Sequence, residues 1–124
     1  MALWLAVGAG GALGAMARYG VSIWAAEHLR TGFPWGTLLV NLTGAFLIGV
    51  LHRLLPADVS PLLRPFLIAG LLGGYTTFSA FGLETVTLLE SGNAWRAAVY
   101  ASASVLLGVL GVMAGSAAGS WLAR

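Results

Sequence analysis

The chain has 124 residues, of which 59% are hydrophobic and 8% are charged. A soluble domain carries about 25% charged residues, so this composition excludes a water-soluble surface and predicts one integral membrane domain, residues 1–124. The lack of cysteine excludes disulfides, thiolate metal sites and a cysteine nucleophile. Six arginines against four acids, scattered along the chain, are too few for a nucleic-acid-binding surface.

Four apolar segments are each long enough to cross a bilayer as a helix, which requires about 20 residues. We predict an all-α membrane protein with spans at residues 2–26, 34–54, 63–89 and 95–123. The connections between these spans are short, so no soluble domain fits between them. Any function is therefore expected within the membrane.

The arginines outside the spans divide almost evenly between the two sides of the membrane. Four spans put both termini on one side, with three arginines there and two opposite (Arg53, Arg64 and Arg124 against Arg30 and Arg96). The orientation of a protein in the membrane follows the difference in Lys and Arg between the two sides. A difference of one arginine therefore specifies the orientation of this chain only weakly. Two interpretations stay open: a weakly oriented protein helped by its partners, or a dual-topology protein whose copies pair antiparallel.

The third span is predicted to be broken. Its centre, Gly70 to Glu84, holds glycines, a Thr76-Thr77 pair, a serine, two phenylalanines and a carboxylate where an ordinary membrane helix has leucines. Glycine and β-branched threonine weaken a helix. Irregular backbone at membrane depth survives only where protein or a water-filled cavity satisfies its polar groups. We therefore predict a broken helix that serves an ion pathway.

Glycines at four-residue spacing mark close helix contacts in the first and fourth spans. Gly10 and Gly14 have this spacing, as do Gly111, Gly115 and Gly119. Such stripes let helix backbones approach closely in lipid. They pack helices within one subunit, or they form a seam between two subunits.

Polar residues inside the spans are functional hypotheses by default. Arg18 either snorkels to lipid headgroups or attracts anions at a vestibule. Glu84 either makes an interfacial or helix-packing contact or relays protons or ions. Asn41 either links helices or donates hydrogen bonds to a partly dehydrated anion, with Thr37 and Thr43 as further hydroxyl donors.

Two phenylalanines follow the predicted break, three residues apart, so they share one helix face. Phe78 and Phe81 have two possible roles. They pack against lipid or in the protein core, or their ring edges face a small anion. An aromatic edge is electropositive, and it holds an anion less tightly than an ammonium would. Conduction needs binding that is weak enough to release the ion.

Three motifs carry a resemblance to a known family. They are Gly11-Ala12-Leu13-Gly14-Ala15-Met16-Ala17-Arg18-Tyr19, Gly36-Thr37-Leu38-Leu39-Val40-Asn41-Leu42-Thr43-Gly44 and Gly73-Gly74-Tyr75-Thr76-Thr77-Phe78-Ser79-Ala80-Phe81. In their order and spacing, and in its length, the chain resembles the Fluc family of fluoride channels, also called CrcB proteins. The resemblance implies an antiparallel, dual-topology homodimer in the lipid of the cell inner membrane. Such a dimer exports fluoride passively through two pores along the subunit interface and gives fluoride resistance.

The resemblance also implies roles for individual residues. The positions that face fluoride or line its path match Asn41, Phe78, Phe81, Ser79, Tyr100, Ser104 and Thr37. Arg18 matches an arginine near the vestibule, and Glu84 matches a carboxylate beyond the break. A structural sodium ion shared by both subunits is implied at the backbone carbonyls of Gly73 and Thr76. The chain departs from the family pattern at Ala80 and Gly82, where two hydroxyls are missing.

Two other functions are weighed against the channel. A small four-helix, proton-coupled multidrug transporter needs a membrane carboxylate that binds substrate and proton, and only Glu84 qualifies. A structural or assembly subunit would use the glycine stripes only for packing. The sequence offers no His/Asp/Ser constellation and no metal cluster, so we do not expect an enzyme.

Overall fold

A computed structural model describes residues 1–56 and 59–124, and these residues form helices and no strand. The helices are α1 (Ala2–His28), α2 (Trp35–Leu54), a π-helical segment π1 (Pro65–Leu72), a single turn α3 (Gly73–Tyr75), α4 (Phe78–Glu90) and α5 (Ala94–Leu122). The all-α expectation is confirmed, and the long helices begin and end within a few residues of the predicted spans. That the whole chain is one domain stays a prediction.

Three helical stretches of the described chain are long and apolar enough to cross a membrane. They are Trp35–Leu54, Pro65–Glu90 and Ala94–Leu122, with mean hydropathies of 1.5, 1.5 and 2.0. Helix α1 has 27 residues, or about 40 Å at 1.5 Å per residue, but it is not among these three. A fourth span therefore stays a prediction.

The third span is interrupted, as the sequence predicts, at Thr76 and Thr77. Both residues have extended backbone, with φ −79° and ψ 156° at Thr76 and φ −149° and ψ 124° at Thr77. Gly73 and Gly74 precede the interruption and remain helical. The Thr77 hydroxyl accepts a hydrogen bond from the Ala80 N–H at 3.2 Å, so Thr77 is the N-cap of α4. The β-branched threonines, rather than the glycines, occupy the break itself.

The glycine stripes pack helices within the chain. A Cβ added at Gly10 or Gly14 would collide with backbone atoms of the third span, and one at Gly74 would collide with Gly11. In the same way, Gly115 and Gly119 lie against the backbone of α2. The interpretation as within-subunit packing is therefore confirmed at these positions, because only glycine allows helix backbones to approach this closely.

Helices α2, α4 and α5 meet in a buried cluster formed by Leu38, Leu88, Ala97 and Tyr100. Tyr100 and Val40 are the largest fully buried side chains. Phe81 packs against this cluster from just beyond the interruption. The cluster therefore fixes α4 relative to α2 and α5 and brings the polar residues of these helices together.

Candidate functional site

Asn41 on α2 bridges to the interruption. Its Nδ2 donates to the Thr77 carbonyl oxygen at 2.9 Å, and its Oδ1 accepts from the Thr77 N–H at 2.8 Å. One peptide donor and one peptide acceptor determine which way the amide points. The side chain thus replaces backbone partners that are lost where the helix breaks, and these two bonds use one of its two N–H groups.

This bridge frees the carbonyl of Gly73, which lies in the last helical turn before the interruption. In a continuous helix, the N–H of residue 77 would bond to the carbonyl oxygen of residue 73. Here the Thr77 N–H is turned to Asn41, so Gly73 loses its usual donor, and the extended Thr76 turns its own carbonyl out of helical direction. Carbonyls at an unwound helix end are ligands that suit Na⁺. The oxygens of Gly73 and Thr76 therefore fit a hard monovalent cation by their chemistry.

Metal sites of another type are not found in the part of the chain that the structure describes. Residues 1–56 and 59–124 contain no group of three His, Cys, Asp or Glu side chains placed to hold a metal ion. A cation at the interruption would therefore not be held by a cluster of such side chains within these residues.

The two phenylalanines after the break differ in their surroundings. Their ring centroids lie 5.4 Å apart, and that of Phe81 also lies 5.3 Å from the ring of Tyr100. Phe81 is partly buried, whereas Phe78 is 83% exposed in the single chain. Phe78 borders an open cavity of about 400 Å³ that Asn41 and the interruption also line. The open cavity thus joins the amide, the break and one aromatic ring.

Glu84 on α4 is the centre of a second polar cluster. Its Oε1 accepts from the Thr37 hydroxyl at 2.8 Å, and its Oε2 accepts from the Tyr100 hydroxyl at 2.6 Å. Thr37 is buried and Tyr100 is fully buried. The three side chains come from α2, α4 and α5, so the carboxylate links all three helices. Its oxygens are each satisfied within the chain.

Comparison with known proteins assigns the chain to a family. The sequence model of the family described as CrcB-like protein, Camphor Resistance (CrcB), matches residues 5–116. The chain belongs to the CrcB family. The resemblance seen in its motifs is thus confirmed. Family membership and three membrane-capable helices together make it a multi-pass membrane protein.

Three similar proteins share the name Fluoride-specific ion channel FluC. One from Rhizobium meliloti is 52% identical over 118 residues, which cover 91% of this chain and 92% of that protein. One from Hyphomonas neptunium is 46% identical over 123 residues, or 97% and 94% of the two chains. One from Thermus thermophilus is 48% identical over 108 residues, or 86% and 85%. The name describes ion channels, which are not enzymes.

The remaining predicted site residues of this CrcB protein, Ser104, Ser79 and Arg18, differ in their burial and surroundings. Ser104 on α5 has a buried hydroxyl oxygen without a hydrogen-bond partner among the described residues. Ser79 is exposed, and its hydroxyl lies 3.3 Å from that of Thr77. Arg18 is partly exposed, and α1 continues ten residues beyond it to His28. Arg18 therefore lies about 15 Å along α1 before the helix end.

The two departures from the family pattern both lie on α4. Ala80 has no side-chain donor, and its N–H is used by the Thr77 cap. Gly82 leaves open space, since an added Cβ would meet no atom within 4 Å. The hydroxyls of Ser79 and Thr77 lie near the start of α4, and the Thr85 hydroxyl donates to the Phe81 carbonyl oxygen at 2.7 Å.

Two residues at the interruption were not singled out by the sequence. Tyr75 ends α3, and its hydroxyl lies 2.9 Å from that of Thr43 on α2. Gly44, next to Thr43, lies against the Thr76 methyl group. The sequence contains the pattern Asn41-x-Thr43-Gly44, but no local pattern indicates that these residues face others more than 30 positions away.

Proposed function

We propose that this CrcB chain is the subunit of a passive, fluoride-selective ion channel that exports fluoride across the cell inner membrane. The observation that carries the proposal is the interrupted third span, where Asn41, the Thr76-Thr77 break and Phe78 border one cavity. Relatives that share 46% to 52% of its residues are named fluoride-specific ion channels. Export of fluoride would give the cell fluoride resistance.

The chemistry around the break suits a small, strongly hydrated anion. Dehydration is the main cost of moving fluoride, and neutral N–H and O–H donors replace lost water hydrogen bonds without holding the ion as a full charge would. Asn41 has one N–H beyond its two bonds to Thr77. Ser104 has a buried hydroxyl without a partner among the described residues. The ring edges of Phe78 and Phe81 add weak positive potential.

The path extends beyond the break in this proposal. Ser79 stands beside Phe78, and Tyr100 touches Phe81 and binds Glu84 together with Thr37. These hydroxyls line the path. The hydrogen bonds that Thr37 and Tyr100 donate to Glu84 reduce the repulsion between its carboxylate and a passing anion. Glu84 is also the candidate relay residue. Arg18 is the fixed positive charge that draws anions to a vestibule.

The working assembly is an antiparallel, dual-topology homodimer in membrane lipid, with α1 as the fourth span and two pores along the subunit interface. The even division of arginines supports dual insertion. The 83% exposure of Phe78, beside a cavity open on the single chain, supports a second subunit that closes the path.

A structural sodium ion at the dimer interface would be held by the carbonyl oxygens of Gly73 and Thr76 from both subunits. Support comes from the donor that Gly73 loses to Asn41 and from the extended backbone of Thr76. When bound, such an ion supplies positive charge to carbonyls that have no helical partner. It has no part in a chemical reaction.

The alternative of a proton-coupled multidrug transporter is not favoured. Its relatives would be transporters, whereas those of this chain are named ion channels. The substrate-binding carboxylate of such a transporter would be Glu84. Both oxygens of Glu84 already accept hydrogen bonds from hydroxyl groups of the same chain.

The function is tested with purified protein in liposomes loaded with fluoride or with chloride. We expect rapid fluoride efflux and chloride efflux no faster than from protein-free liposomes. Comparable efflux of both ions would contradict selectivity, and no efflux of either would contradict the channel. Proton-dependent export of an organic cation instead of fluoride would favour the transporter.

The assembly is tested separately with a single cysteine. The chain contains no cysteine, so Ala94→Cys at the exposed start of α5 introduces one unique thiol. In intact cells, a membrane-impermeant thiol reagent should label about half of the protein if the copies insert both ways. Complete labelling or none would show a single orientation.

A further inference from the structure

Three neighbouring residues of α2 contact the three residues at the end of α3 and in the interruption. Asn41 donates to the Thr77 carbonyl oxygen at 2.9 Å and accepts from the Thr77 N–H at 2.8 Å. Thr43 bonds to Tyr75, and Gly44 lies against Thr76. The three residues lie within residues 41–44, so about one turn of α2 covers the whole break.

The Thr43 contact has a defined direction. The Thr43 hydroxyl lies 2.7 Å from the Leu39 carbonyl oxygen and 3.2 Å from that of Val40. A hydroxyl has a single hydrogen to donate, and here it goes to the α2 backbone. The Tyr75 hydroxyl, 2.9 Å away, is therefore the donor to Thr43. The last helical residue before the break is thus tied to α2 by its side chain.

The Gly44 contact depends on shape. A Cβ at this position would overlap the Cγ2 methyl of Thr76, and the next nearest atoms are Tyr75 Cδ1 at 3.5 Å and Thr76 Cβ at 3.8 Å. The obstruction is therefore one methyl group. Thr76 cannot easily turn it away, because β-branched side chains have few χ1 rotamers and its hydroxyl bonds to the Leu72 carbonyl oxygen at 2.9 Å.

We propose that Asn41, Thr43 and Gly44 form a positioning clamp, the α2 clamp, which holds Tyr75 and the interruption at Thr76 and Thr77 so that the interruption keeps its open, extended shape. Thr76 and Thr77 lack the regular helical backbone of their neighbours, and an unheld extended pair has considerable conformational freedom. The clamp sets the direction of the carbonyls before the break and of Phe78 directly after it. Thr43, Gly44 and Tyr75 act through these groups rather than by touching an ion.

The hydroxyl half of the clamp is tested by isosteric changes. Thr43→Val and Tyr75→Phe each remove the bond and nearly keep the shape. We expect each to slow fluoride efflux from liposomes about fivefold, the factor of one hydrogen bond. The double variant should be no slower than either single one, because both remove the same bond. Thr43→Ser keeps the hydroxyl and should be slowed less than Thr43→Val.

A matched control comes from α4. Thr87 is exposed, and its hydroxyl bonds to the Leu83 carbonyl oxygen of its own helix at 2.9 Å. Thr87→Val makes the same chemical change as Thr43→Val away from the clamp, and efflux should match that of the unmodified protein. Wild-type rates for both Thr43→Val and Tyr75→Phe would overturn the proposal.

The shape half of the clamp is tested by a suppressor. Gly44→Ala should slow efflux about tenfold or more, as overpacking does. Thr76→Ser removes the Cγ2 methyl and keeps the hydroxyl, so Gly44→Ala with Thr76→Ser should be clearly faster than Gly44→Ala alone. Gly20→Ala is the control, since an added Cβ there meets no atom within 4 Å. A double variant as slow as Gly44→Ala would overturn the shape argument.

This inference rests on the proposed function for its flux readout, so a second readout separates the two. Hydrogen exchange of the Thr77 amide, which Asn41 holds, is measured on the purified protein in detergent. We expect faster exchange in Thr43→Val and Gly44→Ala than in Thr87→Val and Gly20→Ala. Equal exchange would overturn the clamp, whereas an unmodified protein without fluoride efflux would overturn the proposed function and leave the exchange result standing.

Discussion

The two polar clusters of this protein are built in different ways. At the interruption, the Asn41 side chain bonds to the backbone of Thr77. At Glu84, three side chains bond to one another while α2, α4 and α5 remain regular helices. The first cluster holds the backbone in a shape that it would not keep by itself, and the second links helices that have regular backbone. The same kind of interaction therefore does two separate tasks.

This difference predicts which substitutions should slow conduction most and which should mainly affect stability. A change at the interruption should alter the geometry of the path and slow conduction most. A change at the Glu84 cluster should mainly lower the free energy of unfolding, because the helices there keep their backbone without it. The following predictions test that order.

Asn41→Asp should have the largest effect. The carboxylate still accepts the Thr77 N–H, but it loses the donor to the Thr77 carbonyl oxygen and places a negative charge beside that oxygen. We expect fluoride efflux to fall about 100-fold, since an unpaired or repelled buried polar group costs about 1–3 kcal/mol. Size-exclusion chromatography should show an unchanged assembly. Efflux near the rate of the unmodified protein would contradict the role of this residue.

Phe81→Leu should come next, with efflux about tenfold slower. Leucine fills much of the volume but removes the ring edge and the aromatic contact with Tyr100. Phe46→Leu is the matched control, because Phe46 lies on α2 outside the two polar clusters and is 40% exposed. If both variants slow efflux equally, a general loss of packing explains the result better than a path along Phe81.

Glu84→Gln should have a moderate effect on conduction. Glutamine keeps one acceptor oxygen for Thr37 or Tyr100 but turns an N–H₂ group towards the other hydroxyl. We expect fluoride efflux within about fivefold of the unmodified protein and a free energy of unfolding lower by about 1–2 kcal/mol. Complete loss of transport together with loss of proton coupling would instead favour the transporter.

Thr37→Val should have the smallest effect. It removes one of the two hydroxyls that donate hydrogen bonds to Glu84 and keeps the shape of the side chain. The free energy of unfolding should fall by about 1 kcal/mol, with efflux changed by no more than about twofold. An effect on efflux as large as that of Asn41→Asp would show that the two clusters do not differ in the way described.

Much of the fold could be predicted from local composition. The second span was expected at residues 34–54 and is Trp35–Leu54, because a long apolar run with charged or proline-bearing ends has few alternatives to a helix. The broken third span also followed from its residues. The residues Gly70 to Glu84 did not say where in that stretch the backbone leaves the helix, which it does at Thr76 and Thr77. Gly74 is helical and packs against Gly11 of α1.

The candidate site was predicted as residues but not as contacts. Asn41, Thr37 and Glu84 were each recognised as unusual inside an apolar span. Which of them would meet depended on helix packing, since Asn41 and Thr77 are 36 positions apart and Thr37 and Glu84 are 47 positions apart. Tyr75 gave no local signal at all, because a tyrosine near a helix end has many ordinary uses.

By itself, the sequence determined that this chain lies in a membrane, where its helices are, that the third one is broken, and to which family it belongs. These properties depend on hydrophobicity, backbone preference and motif spacing, all of which act over short stretches of chain. Only the tertiary structure decided that Asn41 holds the break open and that Thr37 and Tyr100 occupy both oxygens of Glu84. Buried polar groups must find partners, and packing between distant helices decides which partners are within reach.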